Sequence, residues 1–437
     1  MNDRRSARPT RRALVGTALG HALEWYDWGI YAIFVPFFST RFFDPHDQVS
    51  AVLSSLAVFA VGFAARPVGG LIVGRFADRV GRKPMMLATV AGMAAGSLVI
   101  GICPTYATLG AGASAILVLA RIVQGLATGG ELPSAQTYLA EYAPRRHRGL
   151  WSSVIYIASV GGNTVGVLLG LLLSELLSKS AMASFGWRIP FIVGGVLGAG
   201  TLWIRRSLAE STTFTAEREE RPRLWQEVLR HRRQAVQVVG MSVGLTVVYY
   251  AWVIAAPAYA ISTMHVNANA ALLAGVLSSL VLIGVLPVWG ALSDRVGRRP
   301  VLLVSTLGTA ASLFPLEAMI DDSAWRLGVA MAVAMVFIGA GVSILPAAYA
   351  EMFPTHIRTV GLAVPYSIAV AAFGGTAPYL QTWMGAAAGR AAFTGYVVLL
   401  LVVSAMTVLT LPETRGMSLT ATGSHSDETE GIAREAV

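Results

Sequence analysis

The chain has 437 residues, of which 55% are hydrophobic and only 13% charged, with a formal net charge of +9. Soluble domains carry roughly 25% charged residues, so a soluble globular protein of this length is excluded, and the basic excess falls on alternate loops rather than in one nucleic-acid-binding patch. The single cysteine, Cys103, excludes an intramolecular disulfide and a cysteine metal cluster.

Apolar stretches of about 20 residues, the length that crosses a bilayer, alternate with short charged islands. The pattern predicts an all-α membrane protein with twelve transmembrane helices in two pseudo-symmetric six-helix bundles. A basic cytoplasmic tail, 1–13, comes first, and the apolar run behind it has no small-residue cleavage site, so it is expected to stay as a full span. The N-terminal bundle, 14–206, holds predicted helices at 14–38, 50–73, 84–103, 113–140, 149–177 and 188–206. A polar cytoplasmic linker, 207–235, precedes the C-terminal bundle, 236–411, with helices at 236–261, 268–292, 300–319, 327–351, 360–383 and 392–411. A polar tail, 412–437, follows. With the N-terminus inside, the external loops hold only Arg41, Lys179, Arg188, Arg326 and Arg390 of the 33 basic residues, and Arg66 and Arg121 lie within spans. Excess positive charge marks the cytoplasmic side, which places both termini there.

The first span, "GHALEWYDWGIYAIFVPFF" (20–38), carries Glu24 and Asp27 near its middle and His21 one turn earlier. A charged carboxylate at that depth costs on the order of 3 kcal/mol even on the lenient insertion scale. Further along, Arg66 in helix 2 and Arg121 and Glu131 in helix 4 are also well inside spans. The second half offers no ionisable group at comparable depth: helices 10, 11 and 12 carry no charge inside them, and Glu317 sits near an external helix end. Proton and anion handling is therefore expected in the N-terminal half. His21, Glu24, Asp27 or Trp28, and Tyr31 share one helical stripe, as do Arg121, Gln124, Thr128 and Glu131.

The loop after helix 2, "GRFADRVGRKP" (74–84), returns after helix 8 as "GALSDRVGRRP" (290–300). A weaker echo pairs "LAEYAPRRHRG" (139–149) with "YAEMFPTHIRTVG" (349–361). A six-helix unit used twice in one orientation suits a transporter with its site between the halves. In the repeated loop, Asp78 and Asp294 stand at helix ends where a carboxylate accepts from arginine or from a helix N-terminus. Asp78, Arg79 and Arg82, with Asp294, Arg295 and Arg298, are the expected gate; an ordinary positive-inside loop is the plainer reading of either copy alone.

These loops resemble the helix 2–3 signature of the major facilitator superfamily. "HALEWYDW", "FAARPVGG" (63–70), "RIVQGLATGGE" (121–131), "YLAEYAPRRHRG", "GWRIPF" (186–191), "RRSLAESTTF" (205–214), "EMFPTHIRTVG" and "FGGTAP" (373–378) narrow the resemblance to its metabolite:proton symporter family, from Arg11 to Pro412. That family includes permeases for α-ketoglutarate, citrate, shikimate and proline/betaine. Two departures stand out: His21 replaces the family's usual asparagine, and "GGELPSAQTY" lacks the usual aromatic residue after GGE.

The resemblance implies a secondary active transporter of the plasma membrane, or of the inner membrane in a two-membrane bacterium. Buried arginines suit carboxylates, because guanidinium offers a planar donor fork. The expected function is proton-coupled symport of a small organic acid, an α-ketoglutarate-like dicarboxylate or a related carboxylate. Uptake of a zwitterionic osmolyte such as proline or betaine is the alternative. A proton-driven exporter shares the fold, but the full motif set argues against it. Glu24, Asp27 and Glu131 are the candidate proton carriers. Arg66, Arg121, Tyr249, Tyr250, Trp252 and Asn163 are the candidate substrate ligands. Structural alternatives stand beside these: Arg66 precedes Pro67 and could cap the carbonyls the proline frees, Arg121 could pair with a neighbouring acid, and Asp27 could form a fixed interhelical bond. No HExxH, CxxC or GxxxxGK[ST] motif occurs and no GxSxG nucleophile site is expected, so neither an enzyme nor ATP drive is expected. The expected partners are a small-molecule substrate, protons and the lipid bilayer, with no cofactor, metal or nucleic acid, and the chain is expected to act as a monomer.

Overall fold

The computed structural model describes residues 11–44, 46–80, 82–129, 136, 139–140, 143–206, 230–321, 323–354 and 358–417. Among them there is no strand, and, short connecting turns aside, the long helices fall into two sets of six. The first set is α1 (Arg11–Phe42), α2 (Gln48–Val80), α3 (Arg82–Ile102), α4 (Ala111–Thr128), α5 (Arg148–Leu176) and α6 (Ile189–Arg206). The second opens with α7, which runs as Arg232–Val248, passes through a π-helical turn at Tyr249–Ile254, and ends as Ala256–Ser262. It continues with α8 (Ala268–Val296), α9 (Arg298–Met319) and α10 (Ala324–Met352). The eleventh span, α11, is Arg358–Ala369, a π-helical turn at Val370–Gly374, then Ala377–Ala388; α12 is Arg390–Leu409. The expected linker lies outside the described residues for most of its length.

Eight of these helices, α2, α4, α5, α7 to α10 and α12, are long and apolar enough to cross a membrane by length and composition. In lipid every backbone group must be satisfied inside its own segment, which leaves helices as the economical solution. Large apolar side chains such as Trp203, Leu176, Val236 and Ile102 stand on the outside of the bundle. Water would penalise that surface; hydrocarbon does not.

The second copy of the repeated loop is a sharp reversal. Between α8 and α9 a single residue, Gly297, turns the chain at φ +110°, a conformation that L side chains resist. The two halves meet along α5 and α8, where Gly149 and Gly290 face each other. A Cβ on either would come within 2.6–2.7 Å of the other's carbonyl oxygen, so only glycine permits this approach. The seam is fastened further by Ser152, whose hydroxyl donates to the Ser343 carbonyl of α10, and at the far end by Asn269 donating to Glu175 at 2.7 Å.

Candidate functional site

The centre of α1 holds the expected charges, and its neighbours sort them into two clusters on opposite sides of Trp28. On the side facing the second half lie His21, Glu24 and Arg66, all buried. Glu24 is 1% exposed, with its oxygens 3.5 Å from Arg66 Nη2 and 3.6 Å from His21 Nδ1. Neither oxygen accepts a hydrogen bond, and Arg66 Nε has no partner either. The Trp25 indole donates to His21 Nε2 at 3.1 Å. A neutral His21 therefore carries its hydrogen on Nδ1, the nitrogen nearer Glu24.

Behind Trp28, Asp27 is enclosed by α3 and α4. Ser97 donates to one of its oxygens, and Gln124 Nε2 donates to the other at 2.6 Å. The Gln124 carbonyl oxygen in turn accepts from Arg121 Nη1 at 2.9 Å, so the amide links Asp27 to Arg121. Arg121 is fully buried and keeps Nε and Nη2 unpartnered. Its guanidinium carbon is 4.0 Å from the Trp28 ring centroid and 4.3 Å from that of Tyr31. Arg66 lies 4.2 Å from the same Trp28 ring, which thus stands between two cations.

The second half meets the front cluster with aromatic rings. Trp25 packs edge-on to Tyr249 at 5.6 Å and lies 6.1 Å from Tyr250, while Phe63 reaches Tyr250 at 5.1 Å. The Tyr249 hydroxyl has no partner. Asn163 of α5 is fully buried against Gly29, with both amide atoms unpartnered.

Trp252 departs from expectation. It is half-buried and lines a separate pocket with Tyr259, Glu317, Gln381 and Arg390, away from both arginines. Trp252 lies within the π turn Tyr249–Ile254, whose i→i+5 winding spaces the three rings differently from an α-helix.

The gate residues divide similarly. The Asp294 carboxylate caps the N-terminus of α5, accepting from Gly149 N at 2.8 Å and Leu150 N at 2.9 Å across the two halves. Arg298 pairs with Asp294 at 2.8 Å and with Glu351 at 3.3 Å. Glu351 also receives Arg148 of the first half at 2.7 Å and the Thr414 hydroxyl at 2.6 Å. Glu413 accepts from the backbone of Arg298 and Arg299, so the segment after α12 is tied into the same junction. Arg295 is exposed and outside this junction. The side chains of Asp78, Arg79 and Arg82 lie outside the described residues, as does Glu131 altogether.

Glu351 corrects the expectation that helix 10 carries no charge: it forms the last turn of α10 and is 2% exposed. It was missed because it stands at a helix end and its partners, Arg148 and Thr414, are distant in sequence. The signal was nonetheless present, since Arg148 and Glu351 lie within the two copies of the weaker repeat. Ser97 gave no such signal, being one hydroxyl in a small-residue helix. A stretch with GxSxG spacing, Gly240 to Gly244, lies inside α7 rather than on a strand-to-helix turn. Its Ser242 hydroxyl bonds to the Val238 carbonyl and Tyr349, with no histidine or carboxylate among its partners in the described residues.

A bundle of spans doubled about one seam, with buried charge at its centre, defines a membrane transporter. The model of the Major Facilitator Superfamily matches residues 17–287, and that of the Sugar (and other) transporter family matches residues 204–423. The chain belongs to the major facilitator superfamily. It is 34% identical over 412 residues to the alpha-ketoglutarate permease of Escherichia coli, covering 92% of this chain and 94% of that one. It is 31% identical over 428 residues to the proline/betaine transporter of Salmonella typhimurium, covering 94% and 85%. Its fold matches a crystal structure of a D-xylose-proton symporter with a TM-score of 0.71 at 20% identity, over 92% of this chain and 98% of that one. The protein is a multi-pass membrane transporter, not an enzyme.

Proposed function

We propose that the chain couples entry of a small organic acid, an α-ketoglutarate-like dicarboxylate or related carboxylate, to entry of protons. The observation that carries this reading is the Arg66–Glu24 contact at the interface of the halves. Its 3.5 Å separation, with no hydrogen bond made, leaves a buried guanidinium free to change partner. While Glu24 is ionised it balances Arg66. Protonation of Glu24 removes that balance and leaves a buried cation unpaired, which is costly. A substrate carboxylate restores it, accepting from the guanidinium fork. Proton and substrate therefore favour each other's binding, which is the linkage a symporter needs.

Asp27 is a second protonation site in this reading, with Gln124 reporting its state to Arg121 and Trp28 holding the two arginines in register. Asn163, Tyr249 and Tyr250 supply polar and aromatic surface to the substrate's body. Glu131 remains a third candidate carrier on its sequence position. The Asp294–Arg298–Glu351–Arg148 junction closes one end of the path, and the repeat assigns Asp78, Arg79 and Arg82 as its counterpart. That end is cytoplasmic by its basic residues, with both termini on the same side, and the bundles 14–206 and 236–411 rock about the central site as a monomer. The α-ketoglutarate permease relative and the proton symporter neighbour support the reading.

A second reading has its own support. Trp25, next to Glu24 in the chain, packs against Tyr249 and Tyr250, and these rings would suit a quaternary ammonium through cation–π contacts; one relative is named for proline and betaine. Proteoliposomes holding the purified protein, with an inside-alkaline pH gradient, separate the two. Accumulation of labelled α-ketoglutarate, untouched by excess betaine or proline, is the expected result. Robust betaine uptake that excess α-ketoglutarate does not reduce would replace the organic acid by the osmolyte.

A further inference from the structure

The pocket that holds Trp252 lies wholly within the second half, at the end opposite the Asp294 junction. It is a cavity of about 60 Å³, open at its mouth, which gives room for a small ligand only. Its walls combine ring faces from Trp252, Tyr259 and Phe393 with three polar groups, Glu317, Gln381 and Arg390. Glu317 Oε2 and Gln381 Oε1 are both buried acceptors without a hydrogen-bond partner. Arg390 reaches only the Ile320 carbonyl, at 3.3 and 3.4 Å, and the Met264 sulfur. Among the described residues, Glu317 and Arg390 line one pocket with opposite charges and form no ion pair with each other.

We propose that this pocket is a second ligand site, independent of the central one, and that it takes a small amino-acid-like zwitterion. The ligand's ammonium donates to Glu317 and Gln381, whose free oxygens need N–H donors, so a quaternary nitrogen does not serve. Its carboxylate takes the fork of Arg390, and an apolar body lies on the rings of Trp252 and Phe393. Each charge then completes a half-satisfied partner, which explains why the two protein charges stand apart.

The test is equilibrium binding to the full-length protein in detergent, with L-valine as probe and two truncated analogues beside it. Isovalerate keeps the carboxylate without the ammonium, and isobutylamine keeps the ammonium without the carboxylate. Saturable valine binding, at least tenfold tighter than either analogue, is expected. Glu317→Gln and Arg390→Gln should each weaken it at least tenfold, while Arg66→Lys at the central site leaves it unchanged. Gln381→Leu, which removes no charge, should weaken it as well and guards against a folding defect in the charge variants. Absence of saturable binding in wild type would overturn the proposal. So would loss of valine binding in Arg66→Lys with retention in Glu317→Gln, which would move the site to the centre. Equal binding of either analogue would overturn the zwitterion assignment.

Discussion

At the Asp294 end, Glu351 receives Arg148 at 2.7 Å, Arg298 at 3.3 Å and the Thr414 hydroxyl at 2.6 Å. In the middle of α1, Glu24 is just as buried, yet stands 3.5 Å from Arg66 and 3.6 Å from His21 with neither oxygen hydrogen-bonded. Both regions pair carboxylates with arginines out of water, so residue type alone does not separate them. What separates them is saturation. A carboxylate whose lone pairs are filled holds one geometry and releases it only if the whole network opens. One whose lone pairs are empty can gain a proton, and its arginine can take a new anion, without breaking a formed hydrogen bond. The first arrangement suits a latch and the second a binding site.

Four substitutions test how far this contrast extends. Glu351→Gln should have the largest effect, because it leaves Arg148 and Arg298 buried without their shared charge, a loss of roughly 3–5 kcal/mol for a broken buried pair. Uptake should fall nearly to background while substrate binding persists, read by comparing transport with equilibrium binding. Arg66→Lys comes next. Lysine keeps the charge and loses the fork, and uptake should drop about 10- to 100-fold, corresponding to roughly 1.4–2.8 kcal/mol. Equal uptake by the lysine variant would mean that the site needs only a positive point charge.

Asp27→Asn should act more mildly. The amide oxygen still accepts from Gln124 or Ser97, so the fold is kept and the network loses one charge. Accumulation under a pH gradient should fall roughly tenfold, about 1.4 kcal/mol, and the protein should elute as a monodisperse species like wild type. Arg295→Gln should do least. It was expected in the gate with Arg298, but it is exposed and outside the saturated network, so uptake should stay within about twofold. A large effect of Arg295→Gln would show that the latch extends beyond the residues in contact.

The sequence carried the architecture because bilayer thickness sets a length that apolar runs must meet, and α2, α8 and α10 meet it plainly. Glu24, Asp27, Arg66 and Arg121 were legible for the converse reason: a charge within an apolar run is conspicuous. Their sorting was not legible. Glu24 and Asp27 share a helical stripe, yet they belong to clusters on opposite sides of Trp28, because α2 approaches one and α3 and α4 the other. Trp252 was grouped with Tyr249 and Tyr250 by sequence proximity alone, and the separate pocket it lines shows in no local pattern. Glu351 was overlooked because a charge at the edge of an apolar run reads as solvated until distant partners enclose it.

The central claim is that Glu24 carries the proton whose arrival frees Arg66. Glu24→Gln mimics the permanently protonated state, and it tests the claim in one preparation by two assays on the same proteoliposomes. Counterflow of labelled α-ketoglutarate against unlabelled substrate, without a gradient, should proceed in the variant at a rate comparable to wild type. Accumulation driven by an inside-alkaline pH gradient should be abolished. Accumulation retained at the wild-type level would contradict the account, and would move the coupling proton away from the Arg66–Glu24 contact.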